Sequence, residues 1–115
     1  MSNYNNLILF QKIYDFLLWL YPRIEKFPKS YRLIHGKYIS TSAIELLLLV
    51  IDVNVLPPNE RFNKKSELSC KLDELRILLR LSKDLKILSI KQYDFAALQL
   101  NEISKIMNAW VRPKH

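Results

Sequence analysis

The chain holds a single glycine, Gly36, in 115 residues, where average usage of roughly 7% predicts about eight. Hairpins, bulges and tight strand turns depend on glycine for positive φ, so a many-stranded β-fold is disfavoured. Walker and Rossmann phosphate loops each need more than one glycine, which excludes both. What remains is an all-α chain. Its length suits one domain, residues 1–115. Half of the residues are hydrophobic and a quarter are charged, enough to bury a core and too apolar for a disordered segment.

Apolar spacing divides the chain into four helices. The first is predicted over residues 7–27, where Leu9, Ile13, Phe16, Leu20, Ile24 and Phe27 recur at steps of four and three. Pro22 falls inside it and is expected to kink its last turns. The second is predicted over residues 28–53, opened by Pro28 and carried by Tyr38, Ile39, Ala43, Leu46, Leu47, Val50 and Val53. Gly36 costs about 1 kcal/mol there against alanine, which marks a bend or a close helix contact.

Leu56-Pro57-Pro58-Asn59 is the clearest break, with Asn59 as the expected cap of a third helix over residues 60–88. Glu60–Lys64 and Glu67–Lys71 have the favourable acid-before-base order within it. Ser89 and Gln92 read as a capping box. They open a fourth helix over residues 90–111, which Pro113 follows. Its stripe is Tyr93, Ala96, Leu100, Ile103, Met107 and Trp110. Short connections between such helices predict an antiparallel up-down four-helix bundle, with Trp19 and Trp110 buried.

Helices three and four carry more apolar surface than one seam needs. Beside Leu68, Leu72, Leu75 and Leu79 runs a second stripe, Leu78, Leu81, Leu85 and Leu88; Ile77 and Ile87 lie on neither, and the fourth helix adds Phe95, Leu98 and Ile106 beside its main stripe. A monomer would leave part of this surface wet, so an oligomer is expected; a wide core covered by a kinked first helix is the alternative.

Eighteen Lys and Arg against eleven Asp and Glu give a formal charge of +7, which favours polyanionic partners. Cys70 stands alone, which rules out an internal disulfide and suits a reducing compartment, as a packed or surface thiol. The opening MSNYNNLILFQK lacks the pattern of a secretory leader. The longest uninterrupted apolar runs, 16–21 and 46–51, hold six residues each, against about twenty for a membrane span. A soluble, cytoplasmic protein with no membrane contact is expected.

Catalytic chemistry finds little to work with. His35 and His115 are the only histidines, and neither HExxH nor Glu-x-x-His occurs, so no metal, no cofactor and no enzymatic activity are expected. Asp73 with Arg76, and Arg80 with Asp84, have the spacing of solvated ion pairs.

Two basic groups remain. Arg76, Arg80 and Lys83 share one helical face, with Lys86 a further step along; Arg23, Lys26, Lys29 and Arg32 follow at steps of three, with Phe27 and Tyr31 between them. Either group suits phosphate contacts. Either is equally readable as a solvated helix face, partly neutralised by Glu25, Asp73 and Asp84.

Residues 14–32, YDFLLWLYPRIEKFPKSYR, and 72–111, LDELRILLRLSKDLKILSIKQYDFAALQLNEISKIMNAWV, resemble the accessory variability determinant (Avd) proteins of bacterial diversity-generating retroelements. The likeness covers nearly the whole chain and lapses around residues 53–68. It implies a four-helix bundle assembled into a pentameric barrel with a basic surface. It also implies partners: the element's reverse transcriptase, and RNA and DNA bound without regard to sequence, in support of mutagenic copying of a template RNA into cDNA. On that resemblance Arg76, Arg80 and Lys83 in RILLRLSKDLK are the first candidates for contact, and the set from Arg23 to Arg32 the second. Related bundles encoded in ribosomal RNA intervening sequences share the architecture. An oligomeric scaffold that binds only protein is the reading from another class.

Overall fold

The computed structural model describes residues 4–112, with side chains from Leu7 onward; Pro113 and His115 lie outside the described residues. Four long helices make up the fold: α1 (Tyr4–Glu25), α2 (Lys29–Asn54), α3 (Lys65–Asp84) and α4 (Ile90–Val111). Each packs on its neighbours in the chain, and α4 closes back on α1. The described residues contain no strand.

The helix-period stripes are the core. Leu9, Ile13, Leu20, Ile39, Leu46, Leu68, Leu75, Leu79, Leu100 and Ile103 are at most 1% exposed. Each such side chain withdraws enough apolar surface to contribute about 1.5–3 kcal/mol. Trp110 joins them as expected, at 5% exposure, whereas Trp19 is only partly buried. Trp19 lies to one side of the Leu9–Ile13–Leu20 line and packs across the seam toward α4.

α1 runs through Pro22 and stops at Glu25, two residues short of the expected end. Proline at position 28 disfavours helical geometry at Phe27, so the chain leaves through a tighter turn in which Phe27 N–H donates to Ile24 O at 3.0 Å. Phe27 still reaches the core, at 2% exposure. Pro28, with φ −52° and ψ 143°, precedes α2 rather than opening it.

α2 begins with a turn at Lys29–Tyr31 and a π segment at Arg32–Gly36 before settling into regular helix over Lys37–Asn54. The π segment surrounds the lone glycine. A Cβ on Gly36 would stand 2.9 Å from Ile24 Cγ2, so glycine is there for a close helix contact. Its φ of −61° is ordinary. By length and composition α2 also passes for a membrane span, with mean hydropathy 1.4 and a third of that window buried. The short uninterrupted runs had pointed the other way. Ile39, Ala43, Leu46, Val50 and Val53 set its inner face in the core, whereas Leu47, at the edge of that face, is only partly buried and Tyr38 points to solvent.

The third helix departs most from expectation. Pro57 occupies the cap position and Pro58 the first turn of a short helix, Pro58–Arg61, so Asn59 is not the cap. A 3-10 turn, Phe62–Lys64, then separates it from α3. Prolines fix φ and lack the N–H that a helix start leaves unbonded anyway, so they take the role given to asparagine. The break removes the helical spacing of Glu60 and Lys64. Lys71 turns from Glu67 to Glu45 on α2, at 2.7 Å, and to Glu74, at 3.6 Å.

α3 ends at Asp84, not residue 88. Lys86 adopts the left-handed conformation, φ 64°, with Lys86 N–H bonded to Lys83 O at 2.9 Å and Ile87 N–H to Ser82 O at 3.0 Å. This is a Schellman closure, with lysine where glycine is usual. The Ser89–Gln92 capping box then opens α4 as read, with both bonds at 3.0 Å.

Candidate nucleic-acid interface

Three contacts gather the helix ends that carry the basic residues. His35 Nε2 lies 2.7 Å from Ser82 Oγ, joining the start of α2 to the end of α3. The Lys83 ammonium sits 4.7 Å above the Tyr93 ring, joining α3 to the start of α4. The Trp19 and Phe95 rings, 4.8 Å apart, join α4 to the end of α1. The two basic groups, far apart in sequence, therefore meet at one end of the bundle.

Segments 23–37 and 76–94 together hold ten Lys and Arg against three Asp and Glu, the whole formal surplus of +7. The remaining eight cations and eight carboxylates cancel. Charge of one sign gathered at one end raises the local concentration of phosphates far more than the same charge spread evenly.

The individual cations differ in readiness. Arg80 is the most open of the α3 set, its side chain 67% exposed and 4.0 Å from Asp84. Lys83 shares Asp84 at 3.7 Å and is steadied by Tyr93. Arg76 lies further along the α3–α4 seam, donating to Asn101 Oδ1 at 2.7 Å with Asp73 at 3.8 Å. Lys86 does not continue this helical face, because it lies in the turn beyond α3.

In the first set, Lys26 and Lys29 are exposed. Arg32 donates to Glu25 O at 3.2 Å, capping α1. Arg23 donates to Trp19 O at 3.2 Å, with its guanidinium 4.9 Å from the Trp19 ring. No ion pair among the described residues holds Arg23, Lys26, Lys29, Arg32 or Lys86. Point charges and guanidinium forks of this kind bind phosphate oxygens without reading bases.

Elsewhere the surface has other chemistry. A groove of about 980 Å³ between α2 and α3 is lined by Tyr38, Glu45, Cys70, Asp73, Glu74 and Ile77, and its carboxylates oppose phosphates. Cys70 is exposed there. No group of three His, Cys, Asp or Glu able to hold a metal occurs among the described residues.

A second surface was missed by the sequence reading. Leu7, Phe10, Tyr14, Leu18 and Tyr21 form an exposed stripe on α1; Ile44, Leu48, Ile51 and Val55 form another along α2 and its C-terminal cap. The α1 stripe lies opposite Lys12 and Trp19, which face α4. On α2 the stripe lies about a quarter-turn round the helix from Glu45, which faces α3. Neither stripe faces α3 or α4, so the α1–α2 pair carries an exposed surface of uncharged, apolar side chains. On α3 and α4, where the surplus was expected, Leu88 is buried and Leu78, Ile87 and Ile106 are partly buried, leaving Ile77, Leu81, Leu85, Phe95 and Leu98 exposed.

No curated protein and no solved structure matches the chain in such comparisons. The profile of the bAvd-like family matches residues 7–113, which takes in all but the start of α1 and the whole of the basic end. An all-helical chain matched over that span belongs to the bAvd-like family.

Proposed function

We propose that this protein is the accessory protein of a diversity-generating retroelement, and that its basic end binds template RNA and cDNA while the same protein engages the element's reverse transcriptase. The observation that carries the reading is the charge: in a bAvd-like chain, the entire surplus of +7 falls in the two segments that meet at one end. Such a surface concentrates polyanions without reading their sequence, as a protein that handles a whole template requires.

Assembly belongs to the same reading. An up-down bundle closing into a five-fold barrel would cover the apolar face over α1 and α2, and five copies of a +7 chain would carry a formal charge of about +35. The work is that of a cytoplasmic binding protein, without catalysis.

The test compares charge reversals at the basic end, Lys26→Glu with Lys29→Glu and Arg80→Glu with Lys83→Glu, against Lys64→Glu with Lys65→Glu in the neutral remainder. RNA affinity is measured across salt, alongside pull-down of the element's reverse transcriptase. The expected log–log salt slope is roughly −0.7 per phosphate neutralised on single strands. Both basic-end variants should lower affinity and flatten the slope, and the control should not. Equal affinities and slopes for all three would remove the nucleic-acid reading, and undiminished pull-down would separate the protein partner from this surface.

A further inference from the structure

We infer that Phe95 is a base-stacking residue, and that the basic end takes unpaired nucleotides by base as well as by phosphate. The inference rests on the nucleic-acid reading above. Its observation is a column of aromatic rings leading from the core to the surface. Phe16, 3% exposed, stacks on Trp19 with ring centres 5.8 Å apart and planes 24° apart. Trp19, partly buried, meets Phe95 at 4.8 Å and 42°. Phe95 ends the column and is 42% exposed.

The column stops at a ring with a free side, at the end of the bundle where the cations gather. Arg23 lies over the middle ring of the column, Trp19, and is held there by its bond to the Trp19 carbonyl. A guanidinium fixed on Trp19 and the exposed Phe95 ring that packs against Trp19 supply the two things a nucleotide offers to meet: a phosphate contact and a π-face. On the other flank of α4, Lys83 above Tyr93 repeats the pairing of cation and ring.

An unpaired base is the ring that continues the column. A base within a duplex has both faces taken by its neighbours and cannot. Stacking is sequence-tolerant, because every base has a π-face, so it adds a preference for single strands without a base code. Phosphate contacts alone carry no such preference.

The probes are a short single-stranded RNA, the same strand with its bases removed, and the corresponding duplex. The proteins are the full chain and its Phe95→Leu, Phe95→Ala and Phe95→Trp variants, with assembly and helicity confirmed for each. Phe95→Leu keeps apolar bulk against Trp19 and removes only the ring. Loss of one stacking contact should weaken binding to the intact single strand about ten-fold.

Phe95→Leu and Phe95→Ala should show that loss on the intact strand only. Affinity for the base-free strand and the duplex, and the salt slope, should stay as they were. Phe95→Trp should bind like the original. Trp19 emission, read in a Trp110→Phe background, should be quenched by the intact strand and not by the base-free one. If the original protein binds RNA but binds intact and base-free strands alike, or if Phe95→Leu binds unchanged, the stacking proposal is overturned while the nucleic-acid reading stands. If the original protein binds none of the probes, both fall together.

Discussion

His35 donates a hydrogen bond from Nε2 to Ser82 Oγ across 2.7 Å, and the direction follows from what Ser82 does with its own proton. Ser82 is fully buried and donates to Leu78 O at 2.8 Å, which leaves its oxygen as an acceptor. The imidazole lies against Phe27, ring centres 6.2 Å apart. One histidine thus ties the π segment of α2 to the end of α3, beside the turn that carries Arg32.

That position makes stability depend on pH. Burial pushes the His35 pKa below its ordinary value, with a hydrogen bond involving the Leu78 backbone acting the other way. The unfolded chain therefore holds the proton more tightly than the folded one. The contribution is fully present above about pH 6.5 and is lost as pH falls through the lower folded value. The melting temperature should fall between about pH 7.5 and 5.5, and His35→Gln, which keeps an N–H for Ser82, should flatten the fall. Parallel melting curves for the two proteins across that window would refute the assignment.

The fold was legible where one rule acted alone. The stripes from Leu9 to Phe27 and from Ala96 to Trp110 predicted the core because helix period alone decides which residues face inward. Ser89 and Gln92 predicted a helix start because their reciprocal bonds are local. The reading failed where two rules competed. Asn59 is a good cap by type, but Pro57 and Pro58 precede it and take the helix start first. Lys86 continues a helical face by spacing, yet the chain turns before reaching it. Both basic groups were visible, but their meeting rests on contacts between distant segments, His35 with Ser82 and Trp19 with Phe95, that spacing within each group does not express. Phe95 was legible only as surplus apolar surface, and the α1–α2 face was missed, because the contact of Phe95 with Trp19 and the exposure of that face depend on what packs beside them.

The turn at Lys86 makes its own prediction. A lysine at φ 64° bears a Cβ clash that glycine does not, worth roughly 1–2 kcal/mol. Lys86→Gly should raise stability by about 1 kcal/mol, less than the full strain because glycine also frees the unfolded chain. Lys86→Ala, which keeps the clash and loses the same charge, should not. Thermal unfolding of the pair separates backbone strain from charge; equal effects would mean that the turn is unstrained.

The two tryptophans should differ in kind. Trp110 is 5% exposed and carries the Arg61 guanidinium 5.5 Å from its ring, with Arg61 itself buried and bonded to Asn54 O at 3.3 Å. Truncating it removes core volume and the surface on which that cation rests, so Trp110→Ala should cost about 3–5 kcal/mol. Trp19 is only partly buried, in the seam with Phe95, and Trp19→Ala should cost less. Chemical unfolding of both variants measures this. A larger loss at Trp19 would mean that the α1–α4 seam contributes more to stability than the packing at the end of α4.

The apolar face over α1 and α2 makes a choice that mass can test. Leu18 and Leu48 stand on it, 62% and 52% exposed, while Leu98 is 58% exposed on α4. Similar exposure gives each glutamate substitution a similar small effect on an isolated chain, within about half a kcal/mol. Burial in an assembly breaks that equality, because a carboxylate placed in an apolar interface has no partner to repay its desolvation. Leu18→Glu and Leu48→Glu should therefore reduce the particle mass measured by light scattering toward 13.7 kDa, with helicity retained. Leu98→Glu should leave the assembly intact. The reverse pattern would move the seam to α3 and α4, where the surplus leucines of the sequence first suggested it. A mass of 13.7 kDa for the unaltered protein at micromolar concentration would mean that the face stays uncovered by further copies of the chain.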